Sequence, residues 1–497
     1  MSVSSPLSAR TAVGYVRHQP EQTALYQLIE EHYPAFVSTL ETSGGHLPSF
    51  VRQEFEDYLK CGLLEHGFLR VKCDGCLHEH LVAFSCKRRG FCPSCGARRM
   101  VESAAHLVDQ VFPEAPVRQW VLTFPFPLRF LFANDPNAHS AVLTVVHRAL
   151  STFVVRQSGF TVSSGARTGA VTLIQRFGSA LNLNVHLHIL FLDGAYTFSG
   201  NRPTFHRARP PAGEELNRLL DVLSKRIVRV LERRGLLIAD PEHCCLDLEP
   251  GSSLDHLQAA SINYRIAIGP HAGRKALSLF SVPPLEETSN NPLLARTSGF
   301  SLHAATICEA WQRSRLERLC RYITRPPIAT KRLSVDGQGR VVYRYKHPFR
   351  DGSTHVVLEP LDFMFRMNGM PRAQGCAGAT VARLAALVPR PRLNLTRFHG
   401  VFAPNFKHRE RIVPQRAQRT LEGDKPMAPM SWMQRLKRVF AIDIETCPEC
   451  GGKLRVIACI EDPPLIAKIL GHVRQREALI GNTPRSPPLL QPELTLT

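Results

Sequence analysis

The sequence lacks the marks of a membrane or secreted protein. No apolar run reaches the roughly 18 residues that a membrane-spanning helix needs, and Met1–Arg10 has no apolar signal-peptide core. We therefore expect no membrane partner and a cytoplasmic location. The sequence leaves the oligomeric state open.

Acidic residues are scarce beside basic ones. The 497-residue chain has 62 Lys and Arg against 42 Asp and Glu, which gives a formal net charge of +20. Such an excess repels itself unless a polyanion balances it, so nucleic acid is the first candidate partner. A merely basic protein without such a partner is the alternative. The hydrophobic content of 44% is ample for buried cores in several domains.

Cysteines are frequent, but the chain is unlike the disulfide scaffolds of short secreted proteins. Two Cys-x2-Cys pairs, separated by fifteen residues, have the spacing of a four-thiolate zinc site. The predicted Zn²⁺ ligands are Cys73, Cys76, Cys92 and Cys95. The nearby side chains left for packing are Cys61, His66 and Cys86.

Basic residues surround this cysteine-rich segment, so it is expected to present a basic face to DNA ends. A purely structural zinc domain is the alternative. The candidate DNA-binding residues here are Arg88, Arg89, Arg98 and Arg99.

A third cysteine pair lies near the other end of the chain. Cys447 and Cys450, followed by two glycines, resemble one knuckle of a zinc ribbon whose partner is missing. Cys459 and His472 could complete a second zinc site, or the pair binds nothing.

Hydrophobic periodicity indicates an α+β fold. Helical spacing covers residues 21–40, 48–60, 97–111, 141–156, 214–234 and 302–324. Apolar β-type runs cover residues 120–124, 170–177 and 185–192. Two Asp-Gly turns predict a β-meander within residues 331–358. The Pro- and Arg-rich residues 389–429 indicate a basic linker, and the tail from residue 481 is expected to be disordered.

One predicted strand carries two histidines, His186 and His188, two positions apart. A period of two places both imidazoles on one face, and the other face receives Val185, Leu187 and Ile189. Two neutral imidazoles on a rigid strand form half of a divalent-metal site, although packed or surface histidines explain such a pair equally well.

The preceding strand ends in polar residues within an apolar run. Gln175 is either the third metal ligand or a strand-edge residue that meets solvent. Arg176 has the same two possibilities.

The helix that ends before Pro326-Pro327 carries a tyrosine among arginines. Helical spacing places Arg318, Tyr322 and Arg325 on one stripe. A phenol between two guanidiniums suits attack on a phosphodiester, because the cations bind the phosphate and stabilise the phenolate. Taken alone, a tyrosine in a basic helix is more often an amphipathic surface residue.

Three segments together resemble the insertion sequence 91 family of transposases, a branch of the HUH endonucleases, which are named for the His-hydrophobic-His strand. They are residues 171–194, 321–327 and 397–405. With the Cys-rich segment, the resemblance extends over about residues 25–475. It implies an antiparallel HUH core flanked by helices, an N-terminal helical zinc-knuckle domain and a small zinc-ribbon-like segment.

The resemblance also implies a chemistry. His186 and His188 would hold Mg²⁺ or Mn²⁺, and Tyr322 would attack single-stranded DNA at the element ends. The products would be a 5′-phosphotyrosine and a free 3′-OH, followed by rolling-circle transfer to target DNA.

Some members have a second tyrosine four residues away. Here that position is Arg318, so the chain resembles the single-tyrosine common-region branch.

One stretch departs from the family pattern. Residues 367–383, with three glycines and Cys376, interrupt a segment that is usually continuous. We interpret them as a loop or as the scar of an element in decay.

Three other functions remain open at this point. A plasmid replication initiator or relaxase would use the same chemistry, but the zinc knuckles argue against it. A non-catalytic zinc-dependent DNA-binding protein would keep the cysteines and tolerate loss of Tyr322. A phosphoesterase of the His-x-His-x-His type is disfavoured because Leu190 occupies the place of the third histidine.

The predicted organisation has five parts. They are the helical lead-in with the zinc- and DNA-binding domain (1–112), the HUH nuclease core (113–330), the β-meander with the basic linker (331–430), the zinc-ribbon-like segment (431–475) and the tail (476–497).

Overall fold

The computed structural model confirms the mixed α+β class. It describes residues 13–14, 19–199, 202–239, 244–246, 251–268, 272–280, 292–349, 351–358, 378–414, 442–443 and 445–480. The predictions for Cys376, for residues 415–429 of the linker and for the tail from residue 481 lie outside these ranges.

The helices are α1 (Ala24–Thr42), α2 (Ser49–Lys60), α3 (Pro93–Gln110), α4 (Phe126–Asn134), α5 (Pro136–Gln157), α6 (Gly213–Glu232), α7 (Ser253–Ile262), α8 (Arg313–Thr324), α9 (Gly378–Leu387) and α10 (Pro463–Ile480). The strands are β1 (Val13–Gly14), β2 (Phe68–Cys73), β3 (Glu79–Ala83), β4 (Val117–Thr123), β5 (Gly169–Phe177), β6 (Leu183–Leu192), β7 (Gly194–Thr197), β8 (Thr204–Arg207), β9 (Leu237–Ala239), β10 (Cys244–Leu246), β11 (Leu277–Phe280), β12 (Leu294–Thr297), β13 (Phe300–His303), β14 (Ile307–Cys308), β15 (Leu333–Val335), β16 (Val341–Arg344), β17 (Ser353–Leu358), β18 (Thr396–Gly400), β19 (Ile442–Asp443) and β20 (Leu454–Ile460).

The central sheet has seven strands in the order β12-β13-β4-β6-β5-β18, with β14 also paired to β4. All of these pairings are antiparallel. The apolar residues of one face pack against α4, α5 and α6, and those of the other face pack against α3 and α8. The sheet is thus a middle layer between two layers of helices.

Local sequence sets the ends of the helices beside the sheet. Asp135 caps α5 by accepting hydrogen bonds from the backbone N–H groups of Asn137 and Ala138. Helix α8 ends at Thr324, as predicted, because Pro326 and Pro327 cannot continue it.

Helix α5 has the length and apolar composition of a membrane span. Half of its most apolar window is buried inside the protein, where α5 packs against α6 and contributes to the main core. We interpret it as a core helix.

Two smaller sheets flank this centre. Strands β15, β16 and β17 form the predicted meander, which β11 extends at the β17 edge. The other sheet has the order β20-β2-β3, so a strand from the C-terminal part of the chain pairs with the cysteine-rich segment. Helix α10 packs against this second sheet around Phe68 and Ile460.

Three expectations about secondary structure need correction. Residues 300–303 and 307–308 form strands beside β4, so the helix predicted from residue 302 begins only at Arg313. Strand β18 lies within the expected linker and pairs with β5. Residues 378–383 of the supposed loop begin α9, whose Val381 and Ala382 are buried. In the first two cases, pairing with strands distant in sequence outweighs the local pattern.

Candidate active site and metal centres

His186 and His188 lie side by side on one face of β6. Their ring centroids are 5.0 Å apart, and the two residues are 8% and 6% exposed. Val185, Leu187 and Ile189 enter the core on the opposite face, as predicted. The strand therefore holds both imidazoles in a nearly dry environment.

The surroundings keep both imidazoles neutral. Burial lowers the pKa of His186 to about 4; the positive charges of Arg325 and Arg129 act in the same direction, and the hydrogen bond to Asn184 opposes them. Burial, His186 and Arg325 lower the pKa of His188 well below its usual value. Neutral imidazole is the form that binds a metal ion, so neither ring has to lose a proton at pH 7.

Hydrogen bonds orient the two rings. His186 Nδ1 lies 2.8 Å from the carbonyl oxygen of Asn184 and donates to it, which leaves the Nε2 lone pair for a metal. His188 Nδ1 lies 2.7 Å from the amide group of Gln119 in β4. The atom placed there is the amide nitrogen, which donates to Nδ1. A flip of the Gln119 amide would turn its oxygen toward Nδ1–H and leave the Nε2 lone pair of His188 for a metal. Sequence reasoning missed Gln119, because its contact with His188 depends on strand pairing.

Gln175 lies opposite His186 in the β5–β6 pair. It is 6% exposed, so the interpretation as a residue that meets solvent is wrong. Its Nε2 donates to the carbonyl oxygen of Ile323 over 2.8 Å, and the amide oxygen is the atom left for a metal.

Tyr322 lies near the end of α8 between two cations. The guanidinium carbon of Arg325 is 4.2 Å from the phenol ring centroid, and the Lys346 ammonium is 4.7 Å from it. Arg325 also donates to the Tyr322 carbonyl oxygen over 2.6 Å. Since Arg325 lowers the pKa of both histidines, one guanidinium lies near the phenol and the histidine pair together. Lys346, from the turn between β16 and β17, gave no signal in the sequence.

Eight cysteines form two separate clusters. Within each cluster all sulfur atoms lie within 4.8 Å of one another. The first cluster consists of Cys61, Cys86, Cys92 and Cys95, and the second consists of Cys73, Cys76, Cys447 and Cys450. Individual sulfur–sulfur distances of 3.4–3.8 Å match the edge of about 3.8 Å expected for a tetrahedron with zinc–sulfur bonds of about 2.3 Å.

The ionisation of the first cluster also fits a metal ion. Hydrogen bonding to Cys61 lowers the pKa of the Cys95 thiol, whereas the same neighbour raises the pKa of Cys86 and Cys92. Thiolates in contact repel one another, so the four sulfurs cannot all ionise without a cation among them. Zn²⁺ supplies that charge and takes four thiolate ligands.

Two matches with protein families cover most of these features. A transposase family model, Y2_Tnp ("Putative transposase"), matches residues 169–370, which include the histidine strand and the tyrosine helix. A model of the transposase zinc-binding domain of insertion sequence 91 matches residues 28–124, which include six of the eight clustered cysteines. The chain belongs to the insertion sequence 91 family of transposases. No curated protein and no solved structure matches it.

The family match and the clusters support Zn²⁺ in this transposase, but the structure corrects the predicted ligand grouping. Cys73 and Cys76 do not share a site with Cys92 and Cys95. The two cysteines set aside for packing, Cys61 and Cys86, complete the first cluster.

The C-terminal knuckle also has a partner that the sequence did not indicate. Cys447 and Cys450 meet Cys73 and Cys76, whereas the proposed completing residue Cys459 instead contacts Glu461. Pairing of β20 with β2 brings these distant segments together.

A glycine makes the second cluster possible. A Cβ on Gly452 would lie 2.8 Å from the sulfur of Cys73, too close for any other residue without a shift. Its backbone N–H donates to the sulfur of Cys450 over 3.4 Å. Of the two glycines noted in the sequence, Gly452 therefore allows the close approach of the two knuckles.

The predicted DNA-binding arginines of the transposase separate into two groups. Arg98 is ion-paired with Glu102 at 3.2 Å, and Arg318 is exposed on α8. The other four line one cavity and are Arg88, Arg89, Arg99 and Arg325.

Proposed function

We propose that this transposase nicks single-stranded DNA with Tyr322 and transfers the strand by a rolling-circle route. The phenol gives up its proton to solvent, its oxygen bonds to a backbone phosphorus, and the bond from phosphorus to the 3′ oxygen breaks. The strand stays attached as a 5′-phosphotyrosine, and the departing 3′ oxygen takes up a proton to become a 3′-OH that primes replication. The observation that carries this proposal is the position of Arg325, beside the phenol and near both histidines.

In this proposal, Arg325 and Lys346 balance the negative charge of the scissile phosphate. Both cations lie over the ring of Tyr322, where they attract the scissile phosphate. Because Arg325 is largely buried, its attraction to a phosphate is weakly screened by water.

The metal ligands of the proposal are His186, His188 and Gln175. When bound, Mg²⁺ or Mn²⁺ polarises a phosphoryl oxygen as a Lewis acid. Two imidazole nitrogens and one amide oxygen suit Mn²⁺ better than Mg²⁺, which prefers an all-oxygen shell. We therefore expect the transposase to need less Mn²⁺ than Mg²⁺.

The zinc-bearing segment, with its arginines beside the end of α8, is proposed to hold the element ends and the target strand near Tyr322. A DNA substrate also agrees with the expected cytoplasmic location. In this proposal Tyr322 acts alone in each chain, as in the single-tyrosine branch.

The test is a search for a covalent adduct. Purified protein is incubated with labelled single-stranded DNA from the element ends and Mn²⁺ or Mg²⁺, and denaturing gels report protein-linked label. Tyr322→Phe is expected to abolish the adduct, whereas Tyr33→Phe, a ring stacked on Phe55 in the N-terminal core, retains it. An adduct that survives Tyr322→Phe would contradict the nucleophile. DNA binding without adduct under all metals would favour a non-catalytic DNA-binding protein.

A further inference from the structure

Trp311 is the most exposed large apolar side chain in the described part of the chain, at 76%. It lies in the turn just before α8, whose first residue is Arg313. Tryptophan is usually well buried, and Trp120, the other tryptophan that the structure describes, is 1% exposed. A large flat ring left in water is suited to stacking against another flat ring, such as a nucleic-acid base.

Two exposed arginines, Arg315 and Arg318, follow Trp311 on α8. Arg315 donates to the side-chain oxygen of Gln312 over 3.3 Å, which places this guanidinium at the turn that carries Trp311. In the part of the chain that the structure describes, Arg318 makes no hydrogen bond or ion pair, so its donors are available to a ligand. Arg313 differs from both, because it donates to backbone carbonyl oxygens at the end of α3.

The two exposed guanidiniums lie on the same side of α8. Burial raises the pKa of the Cys308 thiol in β14, and the positive charges of Arg315 and Arg318 both oppose that rise. Helical spacing continues this side to Tyr322, since positions 315, 318 and 322 are three and four residues apart. The acidic residue of α8, Glu317, is buried. The exposed side of the helix is therefore positively charged from its first turn to Tyr322.

We propose that the single strand attacked by Tyr322 runs along this side of α8 and that one of its bases stacks on Trp311. This inference rests on the proposed function, because it takes Tyr322 to attack that strand. Arg315 and Arg318 contact backbone phosphates between the stacked base and the scissile phosphate. The helix rises about 14 Å between Arg313 and Tyr322, which is longer than one nucleotide of a single strand.

The surroundings favour a single strand over other partners. Glu309, the acidic residue beside the turn, is ion-paired with Arg207 at 2.6 Å, so its charge is balanced within the protein. Bases in a duplex stack on one another, whereas those of a single strand are free to stack on Trp311. A second copy of this chain would bring the same positive side of α8 against the first and be repelled.

The experiment measures binding without chemistry. In a Tyr322→Phe background, fluorescence anisotropy follows a labelled single-stranded oligonucleotide from the element end over a range of salt concentrations. Trp311→Ala is expected to weaken binding about tenfold and to leave the salt slope unchanged, because stacking releases no counterions. Trp311→Phe keeps a ring and retains most of the affinity. Arg318→Gln is expected to weaken binding and to reduce the salt slope by about 0.7, the value for one phosphate contact on a single strand.

Two exposed residues outside α8 provide matched controls. Phe280→Ala removes a ring that is 65% exposed, and Arg233→Gln removes an exposed charge at the end of α6. Both variants are expected to bind DNA as the parent does. Because Trp311 and Arg318 are exposed, their variants should also keep the Tm of the parent. Equal losses of affinity in the controls and in the α8 variants would overturn the proposal.

Oligonucleotides with one abasic site at successive positions locate the stacked base. In the Trp311-bearing protein, an abasic site at one position is expected to weaken binding about tenfold, and the same site should have no further effect in Trp311→Ala. Additive losses, or no sensitive position, would overturn stacking on Trp311. A changed oligomeric state with unchanged DNA affinity in Trp311→Ala would assign the ring to a protein contact instead.

The outcomes distinguish the path of the strand from the chemistry. Equal affinity of Trp311→Ala and its parent, with adduct formation by Tyr322 intact, would overturn the strand path alone. Binding that depends on Trp311 and Arg318 without any adduct in the Tyr322-bearing protein would overturn the proposed nicking reaction.

Discussion

Gln175 donates a 2.8 Å hydrogen bond from Nε2 to the carbonyl oxygen of Ile323, the residue after Tyr322. The same side chain lies opposite His186 across the β5–β6 pair. One amide thus connects the histidine strand to the tyrosine helix. The distance between the proposed metal site and the proposed nucleophile depends on this connection.

Replacing Gln175 with alanine is expected to slow adduct formation about 10- to 100-fold and to raise the Mn²⁺ concentration required, as loss of a ligand or of a residue that orients ligands does. The measurement is the rate of adduct formation over a Mn²⁺ titration. Thr172→Val, a buried change on the opposite face of β5, serves as the control. An unchanged rate and unchanged metal requirement in Gln175→Ala would contradict the role.

The zinc content is expected to be two ions per chain. Cys61→Ser should lose one ion and Cys447→Ser the other, because each removes a ligand from a different cluster. Cys459→Ser, outside both clusters, should retain both ions. Elemental analysis of the purified variants provides the count. A single ion, lost equally in Cys73→Ser and Cys92→Ser, would restore the grouping predicted from the sequence.

Acid is expected to destabilise the protein below pH 6.5. Burial lowers the pKa of His139 and His147 to about 3 and that of His399 to about 4. As the pH falls from about 6.5 to 4, the unfolded chain binds protons that the folded chain does not. The free energy of unfolding is therefore largest above pH 6.5 and falls by up to about 1.4 kcal/mol per pH unit for each histidine.

Urea denaturation of the parent and of His139→Phe at pH 7, 6 and 5 tests this dependence. His139 stacks on Phe132, so phenylalanine fits the same contact without a titrating nitrogen. The difference in unfolding free energy between the two proteins should shift in favour of the variant as the pH falls, by up to about 1.4 kcal/mol per pH unit. Because both contain the same cysteines, metal loss in acid cancels in that difference. A difference in unfolding free energy that stays constant from pH 7 to pH 5 would show that His139 does not contribute to the pH dependence.

A buried ion pair holds the start of β4 to the end of β6. Arg118 Nε and Nη2 donate to the two carboxylate oxygens of Asp193 at 2.7 and 3.1 Å, and both side chains are 5% exposed. Asp193→Asn is expected to cost about 3–5 kcal/mol of unfolding free energy, because it leaves a buried guanidinium without its charge partner. Lys225→Ala, which breaks an exposed pair with Asp221, should cost less than about 1 kcal/mol. Chemical denaturation gives both values, and similar losses in the two variants would refute the argument.

The sequence predicted those features that depend on the order of residues within a single helix or strand. Alternation in β6 predicted that His186 and His188 share a face, and the double proline predicted the end of the helix that carries Tyr322. These features are set by the local backbone geometry, so they do not depend on which other segments pack against the element.

Contacts between distant segments were not predictable in this way. Gln119 meets His188 across 69 positions, and Cys76 meets Cys447 across 371 positions. The Cys-x2-Cys spacing identifies a knuckle but does not say which other knuckle completes it. Pairing of β20 with β2 makes that choice, and no local pattern encodes the pairing.

The second cysteine cluster has a consequence for how the transposase is made. Cys76 is synthesised 371 residues before its cluster partner Cys447. The centre can close only after residue 450 has been synthesised. A chain that ends before residue 447 because of a premature stop codon would lack two of the four sulfur ligands. It would also leave the edge of β2 without its partner β20, and an unpaired strand edge favours aggregation or proteolysis. The metal centre thereby links survival of the protein to an intact reading frame.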